Sequence, residues 1–466
     1  MTKKDNIIII GAGLCGSLLA LRLAQRGYTI NLYESRPDLR TTDISAGRSI
    51  NLALSDRGLK AMRLAGVEDK VKPLCIPMYG RLMHDNKGNT FPSNYSGREG
   101  EYINSISRGD LNGMLLTEAE KHKNLQIHFN KECEHVDIEN NIATFYDHET
   151  KTKIEAKGDV IFGTDGAGSA LRKSYYLERK FLFSYAQNYL THGYKELEIP
   201  ASKDGKHLIS KDYLHIWPRG EYMLIALPNL DGSFTVTLFL SYEEGEYNFK
   251  NLTSEKTIKE FFQAQFPDAL TLIPNIVEEF ANNPTGALGT VKCSPWHYQN
   301  KNVLMGDAAH AIVPFYGQGM NASFEDVSVF DAILDKHEGD WETVFKVYEK
   351  TRKADADAIA DLAIDNYYEM RDHVANPIFK EKRSIEMTLE KQFPKEYFSK
   401  YSLVTFHEDI PYLDAMKKGR AQDKAILNML ADKEINPQEA PEVLLKKVQQ
   451  ATEAILEDDR IAGLQY

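Results

Sequence analysis

Gly11-Ala12-Gly13-Leu14-Cys15-Gly16 decides the fold. Four isoleucines, Ile7 to Ile10, stand before it, and Ser17-Leu18-Leu19-Ala20-Leu21-Arg22-Leu23-Ala24 follows as a helix-like pattern that Gly27 can end. Tyr28 to Glu34 then reads as a second strand. The order is strand, glycine turn, helix, strand. Without side chains at Gly11 and Gly13, the chain can turn tightly and let a pyrophosphate approach the backbone. The helix behind the turn directs unpaired N–H groups and the positive end of its dipole at that anion. Glu34 lies roughly twenty residues past the glycines, where a carboxylate can accept from a ribose 2′-OH. The glycine spacing alone is weak, and an ordinary glycine turn in a parallel sheet would share it. The strand, helix, second strand and acid together predict a dinucleotide site.

The rest of the chain bounds what such a domain belongs to. At 466 residues it exceeds one hydrophobic core, so two or three intertwined domains are expected. A net charge of −12 and a pI near 5.6 argue against a general nucleic-acid surface. Cys15, Cys75, Cys133 and Cys293 lack C-x-x-C spacing, which gives neither a disulfide framework nor a zinc signature and fits a reducing cytoplasm. No metal site is expected. The N-terminus runs straight into the first strand, leaving no room for a signal peptide. No apolar run approaches the roughly 18 residues of a membrane span.

Two further stretches repeat the strand-then-turn texture. Asp159 to Ser169 is an apolar strand ending at Asp165-Gly166, and Val303 to His310 ends at Gly306-Asp307. A carboxylate at Asp307, ending a buried strand before a helix, can accept from ribityl hydroxyls. His310 is a candidate acid/base, although histidines at helix starts often serve only in hydrogen bonding. Pro314 to Asn321 forms a glycine-rich loop into a helix Ala322 to Leu334, whose N-terminal amides suit a pyrophosphate or an electron-rich ring edge. Ala46 to Ser55 alternates small, polar and apolar residues. It could bring backbone against a flat ring, or be a surface turn.

Between the second and third motifs, from about 180 to 290, apolar and polar residues alternate, with turns at Pro218-Arg219-Gly220 and Asn229 to Gly232. This predicts an inserted antiparallel sheet. One face would carry Trp217, Leu227 and Phe239 and could wall an aromatic pocket. Pro77 to His84 and the residues after Lys87-Gly88-Asn89 read as a hairpin. Arg81 in its first arm and Tyr95 just past its second can hold a carboxylate by charge-assisted hydrogen bonds. Taken alone, Arg81 is more simply an exposed strand arginine. From about 350 the chain is helical. Ile359, Leu362, Asn366 and Met370 fall on one helix face, and an amide on an apolar stripe needs a partner, either a ligand or a core group. Beyond Gly419 the charged, Gln/Glu-rich sequence reads as a soluble tail ending in a helix Glu442 to Leu456.

In this order the three motifs resemble the single-component, FAD-dependent aromatic hydroxylases of the para-hydroxybenzoate hydroxylase-like fold. Finer likeness lies in Gly47 to Ser55, Tyr213 to Arg219, Gly306 to Asn321 and Asn366 to Arg371. The resemblance implies an α/β fold: a Rossmann-like FAD-binding domain (1–178 and 286–350), an inserted antiparallel-sheet substrate domain (179–285) and a C-terminal helical region (351–466). It implies bound FAD, NADPH as a transient co-substrate, O₂, and L-kynurenine hydroxylated to 3-hydroxy-L-kynurenine in tryptophan catabolism. No catalytic side chain is implied, because the oxygenated flavin does the chemistry.

Cofactor contacts fall on Gly11, Gly13, Cys15, Gly16, Tyr33, Glu34, Ser35, Arg36, Ala53, Arg108, Cys133, Asp165, Asp307, Gly319, Met320 and Asn321. Substrate contacts fall on Arg81, Tyr95, Asn366 and Tyr401, with Phe315 and Tyr316 as the pocket wall. No second glycine fingerprint marks an NADPH site. Relatives with a C-terminal membrane segment differ from this chain's polar tail, which matches a soluble, cytoplasmic form. A homodimer is compatible with the sequence. The alternatives are a related flavin hydroxylase with another aromatic substrate, or a non-catalytic flavin-binding protein.

Overall fold

The computed structural model describes residues 4–41, 51–370 and 377–461. Residues 46–50 of the alternating stretch, and Arg371, lie outside them. The chain forms two compact units, each assembled from three separate stretches. The first holds residues 1–75, 106–189 and 289–360, and the second holds 76–105, 190–288 and 361–466.

The first unit is built on a six-stranded sheet in the order His297–Tyr298, Asn302–Leu304, Val160–Gly163, Asn6–Ile10, Thr29–Tyr33, Leu125–His128. All neighbours are parallel except the short first strand. A parallel sheet covered on both faces needs near-continuous apolar strands, and Ile7 to Ile10 and Val160 to Phe162 are all buried. The strand Asn6–Ile10 sits where the order turns, with Val160–Gly163 on one side and Thr29–Tyr33 on the other. The crevice beyond the C-terminal end of such a strand is where open α/β sheets bind ligands, and the glycine turn stands there. The helices Leu14–Gln25 and Gly319–Lys336 pack into the same core through Leu18, Leu21, Phe324 and Val327.

In the second unit a largely antiparallel sheet runs 190–199, Phe234–Ser241, Met223–Pro228, Tyr213–Pro218, Gly80–His84, Thr90–Asn94. The strands Tyr213–Pro218 and Gly80–His84 pair in parallel. Three helices between Glu255 and Asn282, which the alternating pattern did not announce, supply Ile258, Phe261, Phe262 and Phe280 to one core with Trp217, Leu224 and Leu238.

The C-terminal sequence is not a solvated tail. The helices Pro377–Gln392, Tyr412–Ala431 and Pro441–Ile461 bury Ile385, Leu389, Ile426, Leu444 and Val448 in a core of their own. Their exposed faces carry the charge that dominates the composition, so the apolar stripe is easily overlooked. Among the described residues no helix is long and apolar enough to cross a membrane.

Candidate functional site

In the first unit the three motifs meet. Gly11 has φ +98°, and a Cβ there would come within 2.7 Å of the Thr164 carbonyl oxygen and of Asp165 Cα. A Cβ on Gly16 would fall 2.0 Å from the Gly11 oxygen. These two glycines let the first turn nest against the second motif. A Cβ on Gly13 would meet nothing within 4 Å, so Gly13 faces open space.

The turn is pinned from three sides. Gly11 N–H donates to the Tyr33 carbonyl at 2.8 Å, and Thr164 Oγ1 donates to the Gly11 carbonyl at 2.8 Å. Asn112 Nδ2 donates to the Ala12 carbonyl at 3.0 Å while its Oδ1 accepts from Ser17 Oγ. Glu34 Oε2 accepts the Ala12 amide at 3.0 Å, and its Oε1 accepts from Arg36 Nε at 2.7 Å. Burial pushes the Glu34 carboxyl up, but Arg36 and these amides pull harder and hold it below the usual range. Ser35 Oγ also donates to Glu34. Tyr33 is sandwiched between His128 and Phe145 at 4.5 and 4.1 Å.

Asp165 Oδ2 accepts the Ala170 amide at 2.6 Å, while Oδ1 is buried without a hydrogen-bond partner among the described residues. Arg172 joins the second motif to the third, donating to the carbonyls of Ala167 and Ala308. Asp307 opens the helix Asp307–His310. Its carboxyl reaches solvent although protein closes round it, and that desolvation raises its pKa against the charges of His310 and Arg108. Arg108 begins the helix Arg108–Ala119, capped by Ser107.

His310 is not poised for acid/base work. It is buried against Asp326 at 2.5 Å, and Asp326 is held in turn by the Gly306 amide and Arg352. Burial opposes the charge on His310, but Asp326 overrides it and raises the pKa.

The side chain of Asn321 is fully committed to protein. Its Nδ2 donates to the carbonyls of Ala53 and Gly317, and its Oδ1 accepts the Ser55 amide. Gly319, Met320 and Asn321 form the first turn of the helix Gly319–Lys336, so what they offer a ligand is backbone N–H. Cys15 Sγ lies 3.7 Å from the Ser323 carbonyl, and burial raises its thiol pKa well above the usual range. Cys133 is likewise pushed up by burial. Neither is a reactive thiolate. Phe315 and Tyr316 are buried in the short turn Pro314–Tyr316 before Gly317.

In the second unit Arg81, Tyr95 and Tyr401 converge. The Tyr95 and Tyr401 rings stack at 5.2 Å and 10°. The Arg81 guanidinium lies 4.9 Å from the Tyr401 ring centre and 5.8 Å from that of Tyr95. The Tyr95 hydroxyl is buried with no hydrogen-bond partner among the described residues. Burial raises both phenols, with the Arg81 charge opposing, so both stay protonated donors. Arg383 fixes Tyr95 from behind, donating to the carbonyls of Asn94 and Tyr95 at 2.7 and 2.9 Å.

Asn366 is buried and donates to Met370 Sδ at 3.4 Å. Glu369, one turn further, lies within the field of Arg81.

The sheet's pleat corrects one expectation. Trp217 pairs with Leu224, and Leu224 with Leu238, all facing the helices; Met223 pairs with Phe239 and Leu227 with Thr235 on the other face. Arg81 pairs with Leu214, which also lies opposite Trp217 in the alternation. Trp217 is therefore a core residue, hydrogen-bonded to Asp268.

The FAD-binding domain family matches residues 4–363. The kynurenine 3-monooxygenase of Myxococcus xanthus is 46% identical over 421 residues, 90% of each chain. That of Legionella pneumophila strain Corby is 42% identical, covering 94% of this chain and 97% of its own. That of Dictyostelium discoideum is 44% identical over 91% and 92%. The chain belongs to the kynurenine 3-monooxygenase family. Among solved structures, the tetrameric 2-methyl-3-hydroxypyridine-5-carboxylic acid oxygenase superposes with a TM-score of 0.64 at 19% identity, covering 83% of this chain and 97% of its own. PqsL of P. aeruginosa gives 0.63 at 16%, covering 79% and 97%. These two share the fold.

The first unit's cradle suits FAD, the family's cofactor. It offers close backbone approach at Gly11 and Gly16, an open Gly13, helix N-terminal amides at Gly319 to Asn321, and the carboxylates of Asp165 and Asp307. Asn112, Arg172 and Arg383 were not singled out from sequence. Each donates to a main-chain carbonyl about a hundred or more positions away, which leaves no local pattern.

Proposed function

We propose that this protein hydroxylates L-kynurenine to 3-hydroxy-L-kynurenine with O₂ and NADPH, using bound FAD. The observation that carries the reading is 42–46% identity to kynurenine 3-monooxygenases over at least 90% of the chain. The Arg81–Tyr95–Tyr401 cage, which suits an amino-acid carboxylate, supports it.

The glycine turn, Asp307 and the first turn of the helix Gly319–Lys336 hold FAD. When bound, FAD takes reducing equivalents from NADPH and activates O₂ for transfer to an aromatic ring. The chain's own work is to bind and orient. Arg81 anchors the substrate carboxylate by charge-assisted hydrogen bonds, and the buried Tyr95 and Tyr401 hydroxyls donate to the same group. Asn366 holds a further polar group. The ring amine of the substrate already donates electrons ortho to itself, so no protein base is required. Exclusion of water and fixed orientation are what remain for the protein to supply. The protein acts in the cytoplasm, with its four cysteines as free thiols.

The test is direct. The purified protein should be yellow, oxidise NADPH much faster with L-kynurenine than without it, and yield 3-hydroxykynurenine by mass spectrometry. Hydroxylation of salicylate or 4-hydroxybenzoate with no turnover of L-kynurenine would replace the substrate, and no NADPH oxidation with any aromatic amino acid would end the reading.

A further inference from the structure

The strand Gly80–His84 carries a second constellation on the face opposite Arg81. His84 Nδ1 lies 2.9 Å from Asp268 Oδ2, and His84 Nε2 lies 2.8 Å from His215 Nδ1. His215 Nε2 lies 2.7 Å from the Ser210 carbonyl oxygen. Trp217 Nε1 donates to the same Asp268 oxygen at 2.8 Å, and its ring stacks on His84 at 4.0 Å. Both histidines are buried, His84 at 5% exposure and His215 at 1%.

Donor accounting fixes the protons. The Ser210 carbonyl only accepts, so His215 carries hydrogen on Nε2. The Asp268 carboxylate accepts, so His84 carries hydrogen on Nδ1. A third proton must lie between His84 Nε2 and His215 Nδ1, because otherwise two lone pairs would face each other at 2.8 Å. Three protons on four ring nitrogens leave one positive charge on the pair. Burial lowers the His215 pKa to about 4, and the neighbouring His84 adds to this. Burial would raise the Asp268 carboxyl, but His84 and Trp217 reverse that and keep it ionised.

We propose that Asp268–His84–His215 is a protonated clamp that fixes the strand Gly80–His84, and thereby positions the Arg81 guanidinium for the substrate carboxylate. The clamp joins three elements: the hairpin through His84, the strand Tyr213–Pro218 through His215, and the helix Pro267–Leu272 through Asp268. The remaining charged neighbours are accounted for. Arg219 donates to the carbonyls of His84, Asp85, Pro218 and Gln265 and lies over Phe266. Asp85 spends its carboxylate on the hairpin turn at Lys87 and Asn89. Asp268 is thus the carboxylate that answers the imidazolium. When rising pH removes the shared proton, lone pairs oppose across the His84–His215 contact, the hairpin loosens, and KM rises while kcat holds.

Only the choice of substrate rests on the proposed function; the proton count does not. The experiment uses FAD-loaded protein labelled with ¹⁵N-histidine, with His84→Gln and His215→Asn to assign the resonances. Three protonated ring nitrogens and one bare one are expected across the pair at neutral pH. Asp268→Asn should remove the third proton, raise KM for L-kynurenine about tenfold, leave kcat and flavin content within about twofold, and abolish the rise of KM with pH. Asp268→Glu should restore all three. Only two protonated nitrogens in the unmutated protein would overturn the clamp, as would an unchanged KM in folded, flavin-loaded Asp268→Asn. Should that variant not fold, the proton count in the unmutated protein decides. Three protons with no turnover of L-kynurenine would support the clamp and overturn the substrate reading.

Discussion

Arg81 shows what single residues contribute. Its guanidinium lies over two stacked phenols whose hydroxyls stay protonated, a cation and neutral donors that suit an incoming carboxylate. Removing such a charge-assisted contact costs about 2–5 kcal/mol. Arg81→Ala should therefore raise the KM for L-kynurenine roughly thirtyfold or more, with FAD still bound and the visible spectrum unchanged. Steady-state kinetics of the yellow variant check this, and an unaltered KM would remove Arg81 from the anchor. Residue type and hairpin context left Arg81 open between an exposed strand arginine and a carboxylate anchor, and only the family resemblance pointed to the anchor and to Tyr401, more than 300 positions away, whose junction with it has no local trace. Asn321 shows the converse. The resemblance makes it a cofactor contact; its side-chain amide is consumed by Ala53, Ser55 and Gly317, so its backbone N–H is what it has to offer a ligand. A sequence can show that a polar group needs partners without showing which ones it finds.

At the scale of elements, periodicity was a good guide to strands and a poor one to helices packed at the C-terminus. The run Ile7 to Ile10 has the period its two-sided burial requires, and Phe234–Ser241 alternates in sequence although it is buried at all but one position. Trp217 was placed on the wrong face because the strand's two faces are both largely apolar, so alternation carries little contrast there. The helix Tyr412–Ala431 looked solvated because its buried side includes charge. Asp423 lies 2.8 Å from Lys382 and 2.5 Å from Lys400, all three side chains at most 14% exposed. Burial pushes the Asp423 carboxyl up, but the two ammonium groups outweigh it and bring the pKa to about 2, below the ordinary 3.8.

A depressed carboxyl contributes stability that is fully present above its unfolded pKa and is lost as pH falls through the folded one. The window is therefore from about 4 down to about 2. Breaking a buried pair by removing one charge costs about 3–5 kcal/mol. Asp423→Asn should thus destabilise the protein by that amount at pH 7 in urea titrations, and the gap between variant and parent should narrow by about 2 kcal/mol as pH falls through that window. A gap that is the same at pH 7 and at the acid end would show that Asp423 owes nothing to its two lysines.

At the scale of the whole molecule, the α/β class was legible because three glycine–acid motifs each sit at the end of an apolar strand, in one order. The partition into units was less so. The hairpin carrying Arg81 and the helices after residue 360 belong to the same compact unit as the inserted sheet, though they lie far apart in sequence. Six stretches alternate between two units, so the chain crosses between them five times. Neither unit is a continuous polypeptide, and unfolding either releases the ends that close the other's loops. Five crossings should couple the two units into one cooperative transition.

The three tryptophans divide usefully for this test, with Trp296 and Trp341 in the first unit and Trp217 in the second. Single-tryptophan variants should report one common midpoint in chemical unfolding. FAD at a hundred times its dissociation constant binds only the folded state and adds about 2.7 kcal/mol. Although the cradle residues lie in the first unit, that increment should move the Trp217 signal as far as the Trp296 signal. A Trp217 transition that comes earlier and ignores added FAD would show the second unit folding on its own, and the five crossings would then be mere linkers.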